Sequence, residues 1–235
     1  MKSYPVVILA GGKGSRLGVL TKNIPKALIK VNDKPFIYYQ LKLLFKHGVK
    51  EVIICIGHLG SKIKKFVGTG KKFNLNVKYS YEKKLLGTGG AVKNALPMIK
   101  KNFFILYGDT YLPINFTNIQ NKYKRLKSSA LITIYKNQNK FDKSNVFFNG
   151  KSIVYNKKIH QEKMKYIEYG LSIFNKKIFK YFNNKKRFDL SELFSILSKK
   201  KLLNYFIVKK RFYEIGSTSG LKDSRKYLKS VYSRK

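Results

Sequence analysis

The sequence predicts an α/β fold built on a doubly wound, mixed but mainly parallel sheet with helices on both faces. Three observations lead there: continuous β-branched runs that stop at glycines, amphipathic segments between those runs, and a strand, loop, helix, strand order in the first part of the chain. Residues 6–10, Val-Val-Ile-Leu-Ala, form an unbroken apolar run halted by Gly11-Gly12, as expected of a strand covered on both faces. Pro35 then opens a helical pattern in which Ile37, Leu41, Leu44 and Phe45 recur at helical spacing, and Gly48 closes it. Residues 52–56 are a second buried strand ended by Gly57, which completes a βαβ unit with the usual right-handed crossover. A helix over 62–67, an alternating strand over 77–81, a glycine-rich turn into a helix over 87–98, and a strand over 103–107 ending at Gly108-Asp109 finish a doubly wound half.

From about Asn115 the regularity falls. Strands are predicted over 130–135, 146–148, 152–155 and 169–174, then a helix around 191–198 and a short strand over 205–208. Lys199-Lys200-Lys201 reads as a solvated helix end, and no internal repeat is evident. The length suits a single domain over 1–235, with an orderly half (1–114) and a less regular one (115–235).

The chain carries 51 Lys and Arg against 11 Asp and Glu, a formal charge of +40. Such an excess invites a nucleic-acid reading, but the basic residues are spread evenly: residues 1–100 hold 20 basic and 3 acidic residues, and the remainder hold 31 and 8. No basic arm exists, and the aromatic residues lie within apolar strands rather than on a ribonucleoprotein-type surface, so a nucleic-acid partner is not expected. Only 6 of the 51 are Arg, which reads as compositional drift toward lysine. A hydrophobic content of 43% supplies a packed core and argues against disorder. The single Cys55, inside a buried strand, excludes an intramolecular disulfide and reads as a core thiol. The apolar run after Lys2 is too short for a signal peptide, and no stretch is long enough to span a bilayer, so a cytoplasmic protein with no membrane partner is expected. His47 ends a helix, where a cation is favourable; His58 reads as a loop residue and His160 is assigned nothing. With His and Cys unclustered, a zinc site is excluded.

Residues 9–18 read Leu-Ala-Gly-Gly-Lys-Gly-Ser-Arg-Leu-Gly directly after the first strand. Glycines there let main-chain N–H groups surround an anion, and Lys13 and Arg16 add charge suited to a triphosphate. The dinucleotide fingerprint is absent because its third glycine would fall on Leu17, and no Gly-x-x-x-x-Gly-Lys-Ser/Thr occurs, which excludes a P-loop NTPase. Pro25-Lys26-Ala27-Leu28 places a further cation behind a rigid turn.

The run from Leu9 to Leu17 followed by Pro25-Lys26-Ala27-Leu28 resembles the signature of the sugar-1-phosphate nucleotidyltransferases, and later segments resemble that family's motifs in the same order. These are Glu82 to Ala91, Tyr107-Gly108-Asp109, Asn156-Lys157, Tyr169-Gly170-Leu171 and Phe212 to Ser217, so the resemblance covers residues 6 to about 230. It is specific for the superfamily rather than for one substrate, and is nearest to short heptose- or mannose-1-phosphate guanylyltransferases and N-acetylmuramate-1-phosphate uridylyltransferases. The resemblance implies a Rossmann-like nucleotidyltransferase fold with a nucleotide-binding half (1–114) and a sugar-phosphate-binding half (115–235). It also implies that a nucleoside triphosphate and a sugar-1-phosphate are the partners, Mg2+ is the cofactor, and the product is an NDP-sugar of the kind that feeds cell-surface polysaccharide. A homo-oligomer stays open.

Residue by residue, the resemblance assigns the loop Gly11, Gly12, Lys13, Gly14 and Ser15 to the triphosphate, Arg16 to the leaving pyrophosphate and Lys26 to the phosphates near the transferred phosphorus. Leu9, Ala10, Glu82, Gly87 and Thr88 face the nucleoside; Tyr107, Gly108, Lys157, Glu168 and Gly170 face the sugar phosphate; Asp109 and Glu214 hold the metal. At 214 the family usually has Asp, so Glu214 reaches the metal either directly or through water. A carboxylate at 82 suits the adjacent N1–H and N2–H donors of guanine and favours GTP, the plain alternative being a solvated acid beside Lys83 and Lys84. Gly170 is either the sugar-binding turn or simple turn geometry ahead of a strand. The reaction implied is attack of a sugar-phosphate oxygen on the α-phosphorus. It needs positive charge and in-line geometry but no covalent nucleophile, consistent with the lack of a recognisable triad. Two other readings remain open: a cytidylyltransferase for a phosphorylated amine, for which residues 140–175 offer few acids (Asp142, Glu162, Glu168), and a basic nucleic-acid-binding protein.

Overall fold

The computed structural model describes residues 2–157 and 162–233, so His160 lies outside the described residues. In chain order the main elements are β1 (Val6–Leu9), α1 (Phe36–Lys46), β2 (Glu51–Ile56), α2 (Gly60–Val67), β3 (Asn76–Tyr81), α3 (Gly87–Ala95), β4 (Asn102–Tyr107), β5 (Thr110–Tyr111) and α4 (Phe116–Arg125). They continue with β6 (Ala130–Lys136), β7 (Val146–Phe148), β8 (Ile153–Tyr155), β9 (Tyr166–Asn175), α5 (Leu190–Lys199), β10 (Asn204–Val208), β11 (Tyr213–Glu214) and α6 (Thr218–Tyr232). A nine-stranded sheet runs in the order β8-β7-β9-β4-β1-β2-β3, with β6 pairing β9 and β10 pairing β6.

The β3-β2-β1-β4 segment is parallel throughout, in register Val6 to Val52 and Val6 to Phe104. The chain leaves β1 toward β2 and β3, then crosses back to β4 on the other side of β1. That reversal is a topological switch point, where a crevice opens beyond the carboxyl ends of the strands. The antiparallel β9 then inverts the direction of the sheet against both β4 and β6, which makes the sheet mixed.

Side-chain alternation explains why the central strands read as solid apolar runs. Val6, Ile8, Ile54 and Leu106 pack with α1, α2 and α4 on one face, while Val7, Ile53, Cys55 and Ile105 pack with α3 and α5 on the other. A smaller cluster joins Phe36, Tyr39 and Leu43 of α1 to Leu221 and Leu228 of α6.

Several expectations need correction. Phe45 is 38% exposed instead of packing inward with Ile37 and Leu41. His47 stacks on Phe116, with ring centroids 5.0 Å apart, and burial with the neighbouring Lys46 lowers its pKa; the neutral ring is favoured, not the cation expected at a helix end. Two helices escaped the sequence reading. The α4 segment is largely polar, but Asn115 caps it by accepting from the Asn118 N–H (3.2 Å), and Phe116, Ile119 and Tyr123 form its buried stripe. In α6, Ser217 accepts from the Gly220 N–H (3.0 Å), and only Leu221, Ser224 and Leu228 are buried. Helix α5 begins at Leu190, where Glu192 Oε1 accepts from the Asp189 N–H (2.9 Å).

Replacing Phe116 by Ala removes a ring that touches His47 and lies 5.4 Å from Phe104. It should destabilise the fold by about 3–5 kcal/mol, measured by urea denaturation.

Candidate active site

The crevice at the switch point holds a cavity of about 340 Å³. Its floor is Leu9, Ala10 and the loop Gly11, Gly12 and Gly14 as the chain leaves β1, and its walls are Glu82, Gly87, Thr88, Tyr107, Gly108 and Asp109. Ser15, Arg16 and Lys26 close the side nearest the loop. A Cβ on Gly11 would push the Glu82 carboxylate from its place and crowd the Gly57 nitrogen. Thr21, buried behind the loop, donates its hydroxyl to the Gly14 carbonyl (3.0 Å) and pins the loop. Lys13 lies instead on the rim of an adjoining cavity with Arg187, outside the central one.

At the far wall Lys26 Nζ stands 2.5 Å from Asp109 Oδ2, joining groups 83 residues apart. Pro25 fixes the entry to the short turn Lys26–Leu28 that aims the lysine inward. Asp109 is separated from the end of β4 by Gly108; its carbonyl accepts from the Ile215 N–H (3.0 Å), and the β5–β11 ribbon pairs Thr110 with Glu214. Asp109 thus immediately precedes one strand of the ribbon whose other strand carries Glu214. Glu214 folds back: its Oε1 accepts from the Ser217 hydroxyl (2.5 Å) and its Oε2 from the Gly216 N–H. The space a Cβ on Gly216 would take lies 2.5 Å from Glu214 Oε2, 2.8 Å from Lys26 Nζ and 3.2 Å from Arg16 Nη2, so three charged groups converge there.

Glu82 is 8% exposed, not a solvated surface acid. Burial raises its pKa against the opposing effect of the Leu86 N–H, which donates to Oε2 at 3.1 Å. Gly87, with φ of +74°, starts α3. Thr88 lines the cavity together with Asp189: its N–H and hydroxyl both donate to Asp189 Oδ1 (3.1 and 3.2 Å), and its hydroxyl accepts from the Leu190 N–H (2.8 Å).

On the far side of Tyr107 lies β9. Gly170, with φ of +103°, sits at a register shift between Glu168 and Ser172, and its missing side chain faces Tyr107 and Thr110. Its N–H donates to Glu168 Oε1 (2.8 Å). Burial pushes the Glu168 carboxyl up to about 7 against the opposing pull of that N–H and of Lys157, so near neutrality both forms are populated. Lys157, Glu168 and Gly170 therefore share one end, adjoining rather than lining the central cavity. Among the described residues no cluster of three or more His, Cys, Asp or Glu could by itself hold a metal. Asp189, Thr21 and Gln40, whose amide reaches the Asp109 turn, were not found from sequence. For Asp189 the Asp-Leu-Ser-Glu spacing of a capping box was a usable signal.

Residues 5–230 match the nucleotidyl transferase family. The D-glycero-alpha-D-manno-heptose 1-phosphate guanylyltransferase of Campylobacter jejuni is 32% identical over 213 residues, covering 89% of this chain and 93% of that protein. The UTP–glucose-1-phosphate uridylyltransferase of Synechocystis is 27% identical over 202 residues, covering 78% of this chain and 52% of that protein, so the chain spans about half its length. The crystal structure of HddC from Yersinia pseudotuberculosis superposes with a TM-score of 0.79 at 26% identity, covering 96% of this chain and 99% of that one. With nearly its whole length matched, the chain belongs to the nucleotidyl transferase family.

Proposed function

We propose that this protein joins a nucleoside triphosphate, GTP in preference, to a sugar-1-phosphate of the heptose or mannose type, releasing pyrophosphate and an NDP-sugar. The observation that carries the reading is the convergence of the glycine loop, Arg16, Lys26 and Asp109 on one cavity at the switch point. Two polyanions repel each other, and this cavity supplies fixed donors and cations where they must meet. The main-chain N–H groups of Gly11, Gly12 and Gly14 hold the triphosphate, and Arg16 lies where charge grows on the departing pyrophosphate. Lys26 neutralises the α-phosphate as the sugar-phosphate oxygen approaches opposite the leaving group. That oxygen is already ionised, so no side chain has to deprotonate it. Tyr107, Gly108, Glu168 and Gly170 orient the sugar, with Lys157 near its phosphate.

The donor set suits Mg2+: Asp109 already presents an oxygen to a cation, the Lys26 ammonium, and Glu214 stands across the same ribbon. Magnesium held by Asp109, and by Glu214 directly or through water, would neutralise phosphate oxygens during transfer. The Ser217 and Gly216 contacts shorten the reach of Glu214 and favour contact through water.

The preference for GTP rests on Glu82, a buried acceptor behind the loop, and on two relatives: the Campylobacter guanylyltransferase, and the Yersinia protein, also solved in complex with GMP-PN (TM-score 0.78, 26% identity). Among the described residues no helix is long and apolar enough to cross a membrane. A site for nucleoside triphosphate, together with a lone buried thiol, supports work in the cytoplasm.

Lys26→Ala and Asp109→Ala should each lower pyrophosphate release by at least about 100-fold while the melting transition stays cooperative; near-normal turnover in either would overturn the mechanism. Tested against the four nucleoside triphosphates and hexose-, heptose- and N-acetylhexosamine-1-phosphates, the wild type should release pyrophosphate fastest with GTP. Glu82→Gln should narrow the GTP preference by about tenfold or more, read as kcat/KM ratios in the same assay.

A further inference from the structure

Helix α1 turns an apolar face to the sheet through Ile37, Leu41 and Leu44, yet the buried Gln40, 1% exposed, lies among them. Its Nε2 donates to the Tyr107 carbonyl and to the Thr110 carbonyl, each at 2.8 Å. Those two carbonyls bracket Gly108-Asp109, the turn that presents the carboxylate to Lys26. Gln40 Oε1 has no hydrogen-bond partner among the described residues.

That asymmetry is informative. Facing two carbonyl oxygens, only the NH₂ end of an amide can satisfy both, so the rotamer is fixed by its partners and not by convention. The opposite end is left as an orphaned buried acceptor, which costs free energy. A side chain kept for packing alone would be apolar here, like its neighbours at 37, 41 and 44. What an apolar residue could not do is hold the two ends of the Asp109 turn at a fixed separation. The turn's other ties are the Gly108 N–H to the Leu9 carbonyl (2.9 Å), the Ile215 N–H to the Asp109 carbonyl (3.0 Å) and the Thr110 hydroxyl, which donates to Asp109 Oδ1 (3.1 Å). None of these holds the carbonyls on both sides of Gly108-Asp109.

We propose that Gln40 is a positioning residue for nucleotidyl transfer: by clamping the Tyr107 and Thr110 carbonyls it sets where the Asp109 carboxylate stands relative to Lys26 and Glu214. It touches no substrate and acts only through Asp109, so the proposal rests on the role given to Asp109 above. Loss of the clamp should leave nucleotide capture by the glycine loop intact and impair the step that uses the carboxylate.

Gln40→Met keeps length and shape and removes both donors. With the melting transition still cooperative, kcat for pyrophosphate release should fall at least about 30-fold, and KM for GTP and metal-free GTP binding by calorimetry should stay within about threefold. Binding of Mn2+ to the GTP complex, followed by electron paramagnetic resonance, should weaken at least about tenfold. A kcat within about threefold of wild type, or a fall in kcat matched by an equal loss of metal-free GTP affinity, would overturn the proposal. Should Gln40→Met fail to fold, the wild type decides: the Gln40 side-chain amide resonances should shift when Mg2+ is added to the GTP complex, and unchanged resonances would overturn it. A wild type that releases no pyrophosphate with any substrate pair removes the functional reading itself, whereas an active wild type with an equally active Gln40→Met removes only the clamp.

Discussion

The contact on which the site depends is the 2.5 Å pair between Lys26 and Asp109. It ties the loop that follows β1 to the turn that follows β4, the two strands flanking the switch point, and it can form only because those strands are hydrogen-bonded neighbours. Both side chains are largely withdrawn from water, at 14% and 29% exposure, so their attraction is less screened than that of a surface pair. In the substrate-free protein each group compensates the other. Under the proposed function, a metal–triphosphate complex would offer each a replacement: phosphate oxygens for the lysine and a cation for the aspartate. The pair therefore holds the loop after β1 and the turn after β4 in register.

Most of the fold was legible because β1, β2 and β4 are covered on both faces and must be apolar at every position, so their runs and terminating glycines stand out in sequence. Helices α4 and α6 were not legible because each buries only a narrow stripe among lysines and asparagines, and their caps, Asn115 and Ser217, resemble any loop residue until the Asn118 and Gly220 N–H groups are seen to point at them. In the site the legible residues were those with chemistry in a motif: the glycine loop, Lys26 and Asp109. Gln40 and Thr21 act by holding backbone carbonyls, a task that leaves no sequence pattern. Thr88 shows the reverse: it lies in a motif, but its hydroxyl is taken up by Asp189 and Leu190.

The composition gains meaning from the same geometry. With 11 acidic residues against 51 basic ones, most lysines have no acidic partner to find, and pairs away from the Lys26–Asp109 contact, such as Lys2 with Glu51, Lys185 with Glu192 and Arg211 with Asp223, are partly or largely solvent-exposed and contribute little to stability. The acids at the crevice are used differently. Asp109 meets Lys26, Glu82 is buried behind the loop, Glu214 is folded onto its own turn, and Glu168 is poised near neutrality by burial.

The central claim is a single in-line displacement at the α-phosphorus, with the sugar phosphate as nucleophile and no enzyme-bound intermediate. Its most direct test is stereochemical. With a P-chiral GTP α-phosphorothioate as substrate, the phosphorothioate NDP-sugar should form with inverted configuration at the α-phosphorus, assigned by ³¹P NMR. Retention would signal two displacements through a covalent nucleotidyl-enzyme and would contradict the mechanism derived from Lys26, Asp109 and the glycine loop.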